Sequence, residues 1–188
     1  AQAAIDAATW DGAANVLPLQ YEFASDLKGV IGAFNINTNE WCKQYIFKRC
    51  RFLGSKHASS IITLMFLAQW HGFKFGFYLT FFLEFLLVDV EARLRKRAAP
   101  LRDMLYKSAG TAFLYDYGVC LPLRQFVTHF GYLPFETMYF APTMAMFNHV
   151  LWWPMAVAGV FLLLDLTVLP RPPRPPPATA ADDDKKRK

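Results

Sequence analysis

The sequence predicts an all-α, polytopic helical membrane protein, and three observations carry that reading. Residues 58–90 and 150–169 form long apolar runs, the second interrupted only by Asp165. About 20 such residues, at 1.5 Å rise each, cross a bilayer core. Hydrophobic residues make up 54% of the 188, and it is their clustering that argues against an ordinary soluble core. The chain carries a net charge of +5, with its basic residues in blocks that flank the apolar runs. Lys43, Lys48, Arg49, Arg51 and Lys56 form one block, Arg93, Arg95, Lys96 and Arg97 a second, and Arg171, Arg174 and residues 185–188 a third. Flanking blocks fit the cytoplasmic bias of Lys and Arg; no nucleic-acid motif accompanies them, so no nucleic-acid partner is expected.

The chain divides into a lead-in over 1–33, a core over 34–169, and a Pro-rich, then acidic, then basic tail over 170–188. The tail is too polar to form a core and is expected to be disordered and cytosolic. In the core, Asn37 followed by Glu40 three residues later reads as a capping box that opens a helix. That helix is expected to stop at Gly54. On a helical wheel Trp41, Tyr45 and Phe52 share one side and Lys43, Gln44, Lys48 and Arg51 the other, with Phe47 and Arg49 off pattern. Such a helix lies along a membrane surface.

If residues 58–90 crossed the bilayer once, the two basic flanks would face opposite sides. A broken or re-entrant element removes that conflict, and Gly72 and Gly76 are the expected break points. Pro100 is expected to end the following helix. Residues 108–131 are too polar for lipid and are expected to pack on protein, with Asp116 a weak partner for Arg124. Pro142 and Pro154 are expected to kink the last segment, 138–169. Cys42 and Cys50 are too far apart on a helix to bridge, and Cys120 stands alone. An odd count without metal spacing points to reduced thiols and no metal site.

The chemistry centres on His71, in Ala68-Gln69-Trp70-His71-Gly72 near the middle of an apolar run. An ionisable group at that depth is costly and is kept mostly where it faces a cavity or does chemistry. Neutral imidazole, with an ordinary pKa near 6.5, can take a proton from a hydroxyl attacking an acyl carbonyl. Upstream, Phe34-Asn35-Ile36-Asn37-Thr38-Asn39-Glu40-Trp41 supplies amides that can donate to a developing oxyanion. No Ser, Cys or Lys stands out as a nucleophile, so direct transfer is the simpler route. A G-x-S-x-G elbow and an H-E-x-x-H zinc motif are both missing. Taken alone, a histidine in an apolar helix is more often a packing residue than a base. His57, His129 and His149 have weaker claims still, and Glu84 and Asp89 read as cavity or interface charges.

Those blocks, with Tyr45-Ile46-Phe47-Lys48-Arg49, Phe52-Leu53-Gly54 and Trp70-His71-Gly72, resemble the membrane-bound O-acyltransferase (MBOAT) superfamily. The match resembles its lysophosphatidylcholine acyltransferase branch and is specific from Phe34 to Gly72. The resemblance implies that His71 is the catalytic histidine and Asn35, the motif's first Asn, the catalytic asparagine. It also implies the C-terminal part of an MBOAT fold around a central chamber. Acyl-CoA would enter as co-substrate from the cytosol and a lysophospholipid from the bilayer, with no bound cofactor. Complete members of the family are longer, so the segment is expected to need the rest of the fold for activity. Two rivals stay open: an MBOAT enzyme with a sterol, diacylglycerol or protein acceptor, and a membrane scaffold. Lys185-Lys186 near the end resembles a di-lysine signal for the endoplasmic reticulum, the expected location.

Overall fold

The computed structural model describes residues 12–150 and 152–170. The expectations placed on the basic tail, including Lys185-Lys186, and on the first residues of the lead-in lie outside them. The described residues are helical, and the isolated antiparallel bridge between Val16 and Phe34 is the β pairing among them.

Two short helices lead in. α1 (Pro18–Phe23) opens on proline, whose fixed φ suits a first turn. α2 (Leu27–Ala33) is capped by Asp26, whose carboxylate accepts the Gly29 N–H at 2.6 Å. α3 (Ile36–Cys42) starts before the expected cap: its N-cap is Asn35, in the left-handed region at φ 50°. The capping box therefore does not form. Glu40 instead accepts from Lys43 Nζ at 2.7 Å and from Gln44, and these partners, the Lys43 ammonium first, lower its carboxyl pKa. The helix widens into a π turn (Lys43–Phe47) and tightens into a 3-10 turn (Arg49–Leu53), and Gly54 ends it at φ 69°. The off-pattern Phe47 and Arg49 fall where the helical period changes.

α4 (Lys56–His71) is capped by Ser55 and runs to His71. Gly72, at φ 133°, terminates it, and α5 (Phe75–Leu105) begins after Lys74. The break thus falls at Gly72. Gly76 is not a break point but sits in the first turn of α5, where a Cβ would come within 2.0 Å of the Pro134 carbonyl oxygen. Its N–H donates to Met138 O at 2.8 Å. Glycine is required there because two backbones touch. Pro100 does not end α5 either. The proline and Lys96, whose carbonyl it frees, are both exposed, so water can satisfy that carbonyl and the helix continues for 31 residues.

α6 (Ala109–Phe113) passes through a π stretch (Leu114–Cys120) into α7 (Leu121–Thr137). Only the α7 part of this region packs as expected; Phe113 and Leu114 remain 64% and 66% exposed. Asp116 and Arg124 do not pair. Asp116 accepts from the Tyr106 hydroxyl at 2.6 Å, which pushes that phenol up to about 12. Arg124 is buried and donates to the carbonyls of Glu22 and Ala24, holding α1 against α7. α8 (Phe140–His149) and α9 (Trp153–Thr167) meet at 80°. Pro142 and Pro154 do not kink helices; each lies in a first turn, where its missing N–H costs nothing, and the bend falls between the two helices.

The core lies where α5, α7 and α8 meet, around Leu83, Phe130 and Phe147. Phe130 and Phe147 stack at 5.2 Å. Asp165, the one charge in the last apolar run, is clamped by Arg93 at 2.8 Å and by Arg97. Arg93 also accepts the company of Asp89, to which it donates at 2.8 Å. Among the described residues no single helix is long and apolar enough to cross a membrane, whereas α8 and α9 pass that test together as a bent pair. Val157, Val160, Leu163 and Leu166 leave α9 with an exposed apolar face.

Candidate active site

The asparagine block is organised by a residue the sequence did not single out. Asn15 pairs with it in three ways: its carbonyl accepts the Ile36 N–H at 3.0 Å, its Oδ1 accepts the Asn37 N–H at 3.0 Å, and its Nδ2 donates to Asn35 Oδ1 at 3.4 Å. Asn15 therefore caps α3, the role expected of Asn37. It follows Gly12-Ala13-Ala14 and belongs to no periodic run, so no local pattern announced it. The three asparagines that follow differ. Asn39 spends its amide donors on Ile31 O at 2.9 Å and Phe34 O at 2.8 Å, a structural use. Asn35 holds a left-handed backbone, which asparagine tolerates better than most residues, and its Nδ2 has no partner among the described residues. Asn37 is exposed and faces a cavity.

That cavity, about 380 Å³, lies between the asparagine block and α4. Asn37, Thr38, Trp41 and Cys42 form one wall and Phe66, Leu67 and Trp70 the other. Trp41 approaches Phe66 at 6.0 Å across it. Phe66 and Trp70 stand one helical turn apart, a spacing that could have found this wall although it was not read from the sequence. The cavity is aromatic with a few polar atoms, the usual lining of a site for an amphiphile. Cys42 is part of its lining, but burial pushes that thiol's pKa up, which disfavours the thiolate a nucleophile would need.

His71 stands one residue past Trp70, at the C-terminal end of α4. Aromatic rings wall it: Phe135 at 5.3 Å, Phe81 at 5.5 Å and Phe77 at 5.8 Å between centroids. It has no hydrogen-bond partner among the described residues, and it is exposed. Two of the other histidines are committed. His129 and His149 each bond through Nδ1, at 2.7 Å, to the carbonyl four residues back, and His57 sits exposed against Phe85. His71 and His57 are thus the imidazoles with both nitrogens uncommitted among the described residues, and of the two only His71 is walled by three phenyl rings at a helix break. His71 and Asn35 make no hydrogen bond with each other; they stand on the two elements that flank the cavity, and neither belongs to its lining. Among the described residues no group of His, Cys, Asp and Glu converges as a metal site.

An uncommitted imidazole at a helix break, beside an aromatic cavity and an asparagine block, fits the resemblance drawn from the motifs. Residues 3–130 match the membrane-bound O-acyltransferase family, MBOAT. The chain belongs to that family. Its relatives include lysophospholipid acyltransferase 5 of Bos taurus, 45% identical over 96 residues, which are 51% of this chain and 19% of that protein. The Homo sapiens protein of the same name is 48% identical over 84 residues, 45% of this chain and 17% of that protein. In Caenorhabditis elegans the similarity is weaker but longer, 28% over 178 residues, covering 88% of this chain and 36% of the relative. The chain thus spans well under half the length of the curated relatives it matches.

Proposed function

We propose that the protein carrying this sequence is an acyl-CoA-dependent lysophospholipid O-acyltransferase that converts lysophosphatidylcholine to phosphatidylcholine. The observation that carries the proposal is His71: an uncommitted imidazole at a helix break, walled by Phe77, Phe81 and Phe135. The names of the relatives support the acceptor class. In the proposed step His71 takes the proton of the lysolipid's free glycerol hydroxyl as its oxygen attacks the thioester carbonyl. The Asn35 amide donates to the oxyanion that develops. The carbon–sulfur bond then breaks, coenzyme A leaves as the thiolate, and the imidazolium returns its proton to the thiolate or to water. A direct transfer agrees with the burial that raises the Cys42 thiol's pKa; the other group in the cavity wall that could attack is the Thr38 hydroxyl, a weak nucleophile without a base beside it in that wall.

The test is transfer of labelled acyl-CoA by membranes containing the full-length protein to a panel of lysophospholipids, a sterol and diacylglycerol. Label is expected in phosphatidylcholine above all. Label in sterol ester or triacylglycerol instead would reject the acceptor assignment.

The same reading places the protein in the endoplasmic-reticulum membrane as a multi-pass chain with the basic blocks and the C-terminus cytosolic. The Arg93 and Arg97 clamp on Asp165 supports it, because it keeps the second basic block beside the end of α9. The break at Gly72 lets the chain turn back between the first two blocks. In sealed microsomes, Lys56→Cys and Lys96→Cys are both expected to react with an impermeant thiol reagent. Reaction at one position alone would mean a single crossing between them and end the re-entrant reading.

A further inference from the structure

A second cavity, of about 50 Å³, lies between α2, α5 and α7 and is lined by Thr80, Glu84, Thr128 and Tyr132 among aliphatic side chains. Thr80 and Thr128 are 5% and 8% exposed, yet their hydroxyls have no partner among the described residues. Helical threonines commonly bond the carbonyl four residues back, as Thr63, Thr137 and Thr143 do in this chain. These two do not. Glu84 makes neither an ion pair nor a hydrogen bond among the described residues, although it is the charged group of the cavity. A carboxylate and two hydroxyls left unpartnered in such surroundings carry a desolvation cost that a bound group would offset.

The position of the cavity links it to His71. Phe77 and Phe81, which wall the imidazole, and Glu84 recur at i, i+4 and i+7 on α5 and so share one face. On α7, Thr128, Tyr132 and the His71 neighbour Phe135 repeat that spacing. The cavity is therefore the continuation of the α5–α7 seam that holds His71, with Glu84 about 4.5 Å along the axis from Phe81. The lining defines the complement. It presents one carboxyl group, acceptor-capable hydroxyls, and the ring of Tyr132, with no cationic side chain among the residues that line it. Those features together suit a compact cation: carboxylate for charge, ring face for cation–π attraction. Glu84 itself is only partly buried, so the cavity is open to an entering group.

We infer that this pocket receives the ammonium head of the acceptor lysolipid, with Glu84 as the residue that selects cationic headgroups. The inference rests on the lysolipid reading above and adds to it a position along the seam, headgroup at Glu84 and glycerol hydroxyl towards His71. Choline and ethanolamine heads share the charge but not the size: a primary ammonium suits the cavity as it stands, a trimethylammonium requires the seam to widen, and the experiment separates them. The full-length protein in nanodiscs of neutral lipid, without acyl-CoA, is titrated with lysophosphatidylcholine, lysophosphatidylethanolamine and lysophosphatidylglycerol.

Glu84→Gln is expected to weaken binding of the ammonium-bearing lysolipids by about tenfold and to leave lysophosphatidylglycerol within about twofold. Glu84→Asp, which keeps the charge, should recover part of the loss. Loss for the choline lipid alone assigns a methylated ammonium, and loss for the ethanolamine lipid alone a primary one. Equal weakening of all three lipids, no change in any, or no binding by the wild type would overturn the inference and leave a water-filled pocket. Binding does not require turnover. A protein that binds with Glu84 dependence but acylates no lysolipid would therefore reject the proposed activity while leaving the pocket standing.

Discussion

His71→Ala in the full-length protein is expected to lower acyl transfer about 1,000-fold or more, with membrane insertion and abundance unchanged. That is about 4 kcal/mol of barrier. The size of the effect follows from the residue's surroundings. Among the residues that line the cavity none is a ready base: burial raises the Cys42 thiol's pKa, Asn37 is an amide, Thr38 a hydroxyl, and the rest are apolar or aromatic. The fold should tolerate the change, because His71 makes no hydrogen bond among the described residues and is exposed at a helix end. His71→Gln keeps a polar side chain of similar reach but cannot act as a base, and it should be as inactive as alanine. His57→Ala and His129→Ala serve as controls and should retain activity, since His129 is tied to its own helix and His57 is exposed against Phe85. Most of the activity surviving in His71→Ala at normal abundance would remove the base assignment.

How much of this was legible depended on whether the signal was local. The Gly54 stop and the break at Gly72 were legible because each requires a backbone conformation with positive φ that glycine adopts readily. Gly76 was misread for the same reason. Its purpose is contact with Pro134 and Met138, some sixty residues later, and such a contact leaves no trace in the neighbouring sequence. The prolines show a related failure. Pro100, Pro142 and Pro154 each suggested an end or a kink, but two sit in first turns and the third frees a carbonyl that water can reach. Arg124 was offered a carboxylate partner by proximity in sequence, whereas its partners are carbonyls about a hundred residues upstream. At the site, His71 stood out because an imidazole is rare in an apolar run. Its aromatic wall did not, because Phe77, Phe81 and Phe135 look like any other core residues until two helices bring them together. Asn15 was hidden for the same reason.

The second large effect concerns Asn35, where chemistry and backbone can be separated. Its amide Nδ2 is uncommitted and is proposed to stabilise the oxyanion, a contribution of about 3 kcal/mol, or about 100-fold in turnover. Its backbone at φ 50°, ψ 41° also launches α3 and brings the Ile36 and Asn37 N–H groups to Asn15. Alanine at this position loses the amide and strains a left-handed backbone by about 1 kcal/mol. Glycine loses the amide but fits the backbone without that strain. Asn35→Gly is therefore expected to keep the wild-type melting temperature to within a few degrees and still to lose about 100-fold in turnover, while Asn35→Ala loses turnover and melts lower. Asn35→Asp retains an acceptor for Asn15 Nδ2 and a tolerable backbone, but sets a negative charge against a developing one, so it should match glycine in activity. If Asn35→Gly turned over normally, the residue would serve the backbone alone. The cavity-lining Asn37 would then be the amide to examine, because Asn39 has already committed both of its donors to Ile31 and Phe34.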